Sequence, residues 1–347
     1  MSSQLAQTAE VSNNTPVIAP GEQAREQQHP RLLFIENLRT CLTALVIVHH
    51  LAVTYGGPGS WYYQEPAKDL VTRAILTVMV ATGQAFALGC FFLISAYFTP
   101  GAYDRKGAGV FLRDRLLRLG IPLLLYDLLI HPLVTYMAAG LPSSYWSFWS
   151  DYLLHINGIG HGPPWFIEAL LLFTAVYAFW RWLTGNRSPA RTVEENRPPR
   201  NRSIVLSVLA LAVATFLIRL WFPIDWVFRP LNLQFPFFAQ YVSLFIIGLI
   251  ASRRNWFLTL SDRMGTWWLR VGLLAIPLFV VLALVGDLAQ QSASFKGGLH
   301  WQAFDAALWE SLVCVSLCIG LLVLFRSRFN HQGSLARGCL RAPIPPI

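Results

Sequence analysis

An arginine and a histidine stand eleven positions apart, as Arg39 and His50, in the apolar run ENLRTCLTALVIVHHLAVTYG. Eleven helical steps make three turns plus about 20°, so on a helix both side chains lie on one face, roughly 16 Å apart along its axis. Histidine accepts and returns protons near neutral pH, and ionisable groups inside a membrane indicate a functional site. The alternative is structural, with Arg39 anchored at the interface and His50 bonded to a neighbouring helix.

The composition is that of a protein that spans a membrane many times. Of the 347 residues, 54% are hydrophobic and only 13% are charged, and the mean hydropathy is +0.46. The 13 Trp and 11 Tyr residues suit two aromatic belts at the membrane interfaces. A soluble protein of this length could not bury so much apolar surface, so the sequence predicts a polytopic membrane protein.

Eight hydrophobic segments are long enough to cross a membrane as helices. They predict an all-α, polytopic transmembrane helix bundle over residues 31–328. Residues 1–30 are polar and rich in Gln, Asn and Pro, which predicts a disordered tail, and residues 329–347 form a short Pro-rich C-terminal tail. The segments lie near residues 38–55, 74–98, 117–137, 164–183, 204–222, 235–251, 268–286 and 304–325.

The distribution of Lys and Arg predicts the orientation of the bundle. With the N-terminus in the cytoplasm, 22 of the 27 basic residues fall on the cytoplasmic side and five on the outer side. The bias alternates from loop to loop, as the positive-inside rule requires, so both termini are expected in the cytoplasm. The net charge of +9 then reflects topology and contact with anionic membrane lipids, and nucleic-acid binding is not expected.

Several function classes lack their usual signatures. The sequence has no P-loop, no GxGxxG after a strand, no HExxH and no GxSxG. Its five cysteines include no CxxC pair and no spacing with histidine that suits zinc, so no metal site is predicted. ATP-driven transport, dinucleotide redox chemistry and zinc hydrolysis are therefore not indicated.

A cluster of arginines precedes the third segment, in the loop TPGAYDRKGAGVFLRDRLLRLGIP. Arg115 and Arg118 are three residues apart and share a helix face, whereas Arg113 joins them only if the helix begins after it. Arginine forks match phosphate oxygens, so the cluster could hold a phosphorylated ligand. The alternative is plain anchoring at the cytoplasmic interface.

Four stretches, in order, resemble the family 3 integral-membrane acyltransferases over roughly residues 31–336. IENLRTCLTALVIVHH is similar to the first helix of the family, with its Arg–x10–His spacing, and ALGCFFLISAYFTP to the second, with Ala96 where the family usually has Gly. FLRDRLLRLGIP resembles its R-x-x-R-L-x-x-P element, and GPPWFIEALLLF its WF helix start. The later run FPFFAQYVSLFIIGLIASRRNW is similar to the branch of periplasmic glucan succinyltransferases.

The resemblance implies acyl transfer from acetyl-CoA or succinyl-CoA, as a donor substrate and not a bound cofactor, to a hydroxyl of a cell-envelope carbohydrate. It implies a multi-pass protein of the cell membrane, in bacteria the inner membrane. His50 would be the general base, and His49, about 100° round the helix, would lie on the wrong face. The donor would be held by Arg39 and the arginines 113, 115 and 118, and the acceptor by Trp165 and Glu168.

Other interpretations stay open at this point. Asp127 and His131 are spaced i, i+4 in the third segment and could form a charge-oriented pair or a structural hydrogen bond. Glu168 could orient the acceptor or stabilise its helix start. A secondary transporter would also carry intramembrane Arg and His, although no internal repeat is visible. The family usually continues into further spans where this chain ends CLRAPIPPI, so a truncated, inactive member is the third expectation.

Overall fold

The computed structural model describes residues 32–141, 144–154, 162–185, 197–228 and 231–331. These residues form helices and connecting turns, and their one isolated β-bridge joins Phe228 to Leu233. The prediction of an all-α bundle is therefore confirmed. The predicted tail at 1–30, and the C-terminal tail beyond His331, lie outside the described residues. The helices are α1 (Leu33–Thr54), α2 (Leu70–Arg115), α3 (Ile121–Leu125), α4 (His131–Ala138), α5 (Tyr145–Leu154), α6 (Trp165–Leu183), α7 (Asn201–Arg219), α8 (Phe238–Arg253), α9 (Trp256–Thr259), α10 (Asp262–Val285), α11 (Ser292–Lys296) and α12 (Trp301–Arg328).

Seven helical stretches of the described chain are long and apolar enough to cross a membrane, where the sequence predicted eight segments. The difference arises because the predicted segments 74–98 and 117–137 belong to one helical stretch of 69 residues, Leu70–Ala138. Gly107 breaks this stretch, with φ 72° and ψ 167°, a conformation open to glycine alone. The parts on either side of Gly107 each exceed the roughly 20 residues that a membrane-spanning helix needs.

Helices α2 and α12 occupy the centre of the bundle. Helix α12 packs against α1, α2, α7 and α10, and α2 packs against α1, α6, α8 and α12. A core of aliphatic and aromatic side chains lies between α1, α2 and α12, and a second, more aromatic core lies between α2, α6 and α8. Indole hydrogen bonds add specific contacts, since Trp309 donates to the carbonyl of Ala275 at 2.7 Å. The outer surface of the bundle is apolar, as lipid contact requires.

Helices α2 and α8 approach each other closely at Ala96, where the family resemblance leads one to expect glycine. Ala96 is fully buried and faces Gly248 of α8. A Cβ at residue 248 would collide with the Leu93 carbonyl and with the Ala96 methyl. Gly248 thus supplies the small residue at this contact and allows the close backbone approach that membrane helices favour.

Two buried arginines are neutralised by carboxylates from other helices. Arg219, at the end of α7, is completely buried and donates two hydrogen bonds, of 3.1 and 2.7 Å, to the carboxylate of Glu310 in α12. Arg181, at the end of α6, bonds to Asp104 at 2.8 Å. A buried charge requires such a partner, so these pairs fix the order in which the helices pack.

Substitution of Glu310 tests this requirement. Glu310→Ala leaves Arg219 buried without its counter-ion, and we expect the free energy of unfolding to fall by about 3–5 kcal/mol. Thermal unfolding of the detergent-solubilised protein measures the change. Asp225→Ala is the matched control, because it removes an exposed carboxylate, 2.5 Å from Lys296, and exposed pairs contribute less than about 1 kcal/mol. Equal destabilisation by both variants would contradict the argument.

Candidate functional site

Helix α1 carries the two predicted residues at different levels of the bundle. It is continuous from Leu33 to Thr54, so the helical geometry assumed for Arg39 and His50 holds, with roughly 16 Å between them along the axis. Arg39 lies near the start of the helix and His50 near its end. The structure thus separates an arginine end of the site from a histidine end.

The histidine end opens into a cavity of about 330 Å³. Its walls come from the end of α1, the loop after it, α4, the start of α6 and the segment before α8. Each of these elements ends or begins at this level, which is why side chains distant in sequence meet here. The lining residues are His50, Ser60, Trp61, Tyr62, His131, Gly162, Pro163, Trp165, Asn232 and Gln234.

His50 lies in the cavity wall and is stacked on an indole. Its ring centroid is 4.1 Å from that of Trp61, with 21° between the planes. His49 is not among the lining residues and instead packs against Gly83 of α2, where a Cβ would lie 3.0 Å from its Nδ1. The two adjacent histidines therefore have different surroundings, and His50 is the one placed to contact a ligand in the cavity.

A pair of tyrosine hydroxyls lies beside the cavity. The Oη atoms of Tyr62, in the loop after α1, and Tyr126 are 2.9 Å apart. Tyr126 begins a π-helical turn, a distortion that often marks functional sites. Gly162 approaches both hydroxyls with φ 37°, and a Cβ at this position would collide with them. Burial raises the pKa of Tyr62 above its usual range, so its hydroxyl stays protonated.

His131 is a second histidine in the cavity wall. It is only 8% exposed, and its Nδ1 lies 3.1 Å from the hydroxyl of Tyr152. The same hydroxyl lies 3.3 Å from the backbone carbonyl of Asp127. Asp127 lies in the π-helical turn Tyr126–Ile130 that directly precedes His131, so the two residues do not belong to one regular α-helix. The pairing of Asp127 with His131 stays a prediction.

The two predicted acceptor residues lie in the first turn of α6. Trp165 is 7% exposed, lines the cavity and packs against Tyr241 at 5.8 Å between ring centroids. Glu168 is partly buried and is not among the lining residues. A carboxylate in a first helical turn is favoured by the helix dipole. The contact of Glu168 with the acceptor stays a prediction.

At the arginine end, two elements bring three cations together. Arg39 and Arg118 both act electrostatically on Arg115, so α1 and the end of α2 present their charges to the same region. Arg115 is half-buried, lies 3.5 Å from Thr99 Oγ1 and stacks over the ring of Phe111 at 5.6 Å. Like-charged side chains that act on one another suit an anionic ligand with several phosphate oxygens.

Arg113 takes a different position. Arg113 could join Arg115 and Arg118 only if the helix began after it. Arg113 instead lies inside α2, which continues to Arg115. On this helix Arg113 projects about 160° away from Arg115. Its side chain is exposed and contributes to the charge around Asp114, which also pairs with Lys106. Of the three loop arginines that were predicted to hold the donor, the structure thus groups Arg115 with Arg118 and leaves Arg113 on another face.

Several residues of the cavity were not predicted from the sequence. Trp61 and Tyr62 follow α1 in the run SWYYQ, and this aromatic cluster was the available signal. Asn232 and Gln234 come from a segment that gave no signal, because neutral amides are common in loops. Among the described residues, no group of three His, Cys, Asp or Glu side chains is placed to hold a metal ion.

Comparison with known proteins identifies the family. The model of the family 3 acyltransferases, described as an acyltransferase domain, matches residues 32–341, a range that includes both ends of the site. No curated protein and no solved structure matches the chain significantly. The family match extends over most of the sequence and agrees with the helices suited to cross a membrane. The chain therefore belongs to the family 3 acyltransferases, as a multi-pass membrane protein.

Proposed function

We propose that the protein transfers an acetyl or succinyl group from acyl-CoA to a hydroxyl of a cell-envelope carbohydrate. One observation carries this proposal. A single continuous helix holds an arginine within a cation cluster near its start and a cavity-lining histidine near its end. A donor with a phosphorylated end and a reactive end some distance away fits this separation, and acyl-CoA is such a molecule.

The arginine end provides the donor site. Arg39, Arg115 and Arg118 bind the phosphates of CoA through charge-assisted hydrogen bonds. The flexible pantetheine arm runs along α1 from this cluster, and the thioester enters the cavity beside His50. Because the adenine nucleotide is anchored far from the reacting carbonyl, its binding energy positions the thioester.

The cavity provides the acceptor site. Trp61 and Trp165 offer aromatic surfaces to a sugar ring, and the amides of Asn232 and Gln234 offer hydrogen bonds to its hydroxyls. His50 removes the proton from the attacking hydroxyl as general base. The bundle holds acceptor, base and thioester in contact, which supplies rate through orientation.

The distribution of charge supports an orientation for this reaction. With both termini in the cytoplasm, the arginine end faces the cytoplasm, where acyl-CoA is made, and the cavity faces outward. The protein then acylates carbohydrate on the outer side of the bacterial inner membrane with a donor from the inner side.

Reporter fusions test the orientation. A reporter fused after Arg202 should behave as cytoplasmic, and one fused after Ser150 as external, because 22 of 27 basic residues lie on the side of Arg202. Phosphatase and fluorescent reporters measure the two locations. An external signal at Arg202 would reverse the bundle and remove the proposed access of the donor.

Transfer of a radiolabelled acyl group tests the catalytic assignment. Membranes are incubated with labelled acetyl-CoA or succinyl-CoA, and the glycan fraction is counted. His50→Ala should lower turnover by a factor of about 10²–10⁴ with little change in donor binding, because only the proton transfer is lost. His49→Ala is the matched control and should have a much smaller effect, since His49 packs against α2.

Protein level and thermal stability are measured for both histidine variants. Near-normal transfer by His50→Ala, or loss of transfer by His49→Ala alone in a stable protein, would overturn the assignment of the base. A labelled solute that crosses the membrane unmodified and without acyl-CoA would favour a transporter instead.

The choice of donor tests the arginine end. Arg115→Ala and Arg118→Ala should each weaken binding of acyl-CoA by about 1.5–3 kcal/mol, while binding of an acyl-pantetheine without phosphates should change little. Calorimetry with non-reactive donor analogues measures both affinities. Arg113→Ala is the comparison on the opposite helix face and should alter neither affinity. Equal losses for both donors would indicate anchoring or folding in place of phosphate recognition.

A further inference from the structure

The base His50 and Tyr62, one member of the tyrosine pair, both line the cavity. The His50 ring stacks on Trp61, and the Trp61 ring centroid is 5.1 Å from that of Tyr62. The rings of His50 and Tyr62 thus both contact the same indole. A thioester carbonyl that is attacked by a hydroxyl bound to His50 must lie within this cavity, so its oxygen is within the region that Tyr62 lines.

Two hydroxyls that are hydrogen-bonded to each other contain two protons, of which their mutual bond uses one. When Tyr126 donates to Tyr62, the proton of Tyr62 is directed to a third group, and the bond it makes is strengthened by the first. The phenol also stays protonated at physiological pH, as its raised pKa requires. In this arrangement the pair offers one proton to a third group from a fixed position.

Acyl transfer creates a need for such a donor. The acceptor oxygen bonds to the thioester carbon as His50 takes its proton, and the carbonyl π electrons move onto the carbonyl oxygen. The oxyanion then collapses, the C–S bond breaks, and the CoA thiolate recovers the proton from His50. In an apolar bundle the negative oxygen needs a preorganised donor, and such donors are among the largest contributions to catalysis.

We propose that the Tyr62 hydroxyl, oriented by Tyr126, donates the hydrogen bond that stabilises this oxyanion. The inference rests on the proposed acyl transfer and adds a catalytic residue to it, with Tyr126 as a positioning residue. Gly162 is part of the same arrangement, because a Cβ at this position would displace the hydroxyls of Tyr62 and Tyr126.

Steady-state kinetics of three variants test the proposal. Tyr62→Phe should lower kcat by a factor of about 10²–10³ with the KM for donor and acceptor nearly unchanged, because the oxyanion exists only after binding. Tyr126→Phe should lower kcat by only about tenfold, since Tyr62 still donates but is no longer oriented. Tyr63→Phe is the matched control, because this neighbouring tyrosine is exposed, bonds to Glu65 at 3.2 Å and should leave kcat unchanged.

The double variant distinguishes catalysis from a structural role. If Tyr126 acts through Tyr62, the double Phe variant should lose no more activity than Tyr62→Phe alone, a non-additivity expected of groups that act as a unit. A raised acceptor KM with kcat intact would overturn the proposal and assign the hydroxyls to acceptor binding. Equal losses of thermal stability in both single variants, with kcat intact in the folded protein, would overturn it in favour of a loop tether.

The outcome is separable from the fate of the proposed function. Full turnover in Tyr62→Phe, alongside a wild type that transfers label and a His50→Ala variant that does not, refutes the oxyanion assignment alone. A wild type without any transfer from acyl-CoA refutes the acyl-CoA reaction, and the oxyanion assignment with it.

Discussion

The hydrocarbon interior of a membrane offers no hydrogen bonds, and this constraint governs the structure. Backbone groups satisfy one another inside helices, and buried cations are paired across helices. Arg219 lies in the interior only because Glu310 presents both carboxylate oxygens to it. In the part of the chain that the structure describes, the polar side chains of the candidate site lie at the arginine end and around the cavity.

Helix α1 sets the distance between the arginine end and the histidine end of the site. It holds Arg39 and His50 on one face and leaves the apolar length of a helix between them. The arginine end draws its other charges from the junction after α2, and the histidine end draws its wall from loops and helix starts. A reaction that keeps a charged donor apart from a neutral acceptor suits this layout, because each end has its own electrostatic character.

Local departures from regular helix geometry shape both ends of the site. The Gly107 break allows one helical stretch to contain two predicted segments, and the π-helical turns follow directly at Leu116–Gly120 and Tyr126–Ile130. The second turn contains Tyr126, whose hydroxyl lies 2.9 Å from that of Tyr62. Sequence periodicity assumes regular helices, so it did not detect the hydroxyl pair.

The sequence by itself determined the class of protein, the helical segments, the family and the shared face of Arg39 and His50. Hydropathy and helical spacing are properties of short stretches of sequence, and in a membrane protein they are enough to identify the spanning helices. Tertiary structure alone decided which side chains complete the cavity, because Tyr62, His131, Trp165 and Gln234 come from separate elements. Helical spacing had already placed His49 away from His50, and tertiary structure decided what each one contacts, the cavity for His50 and helix α2 for His49.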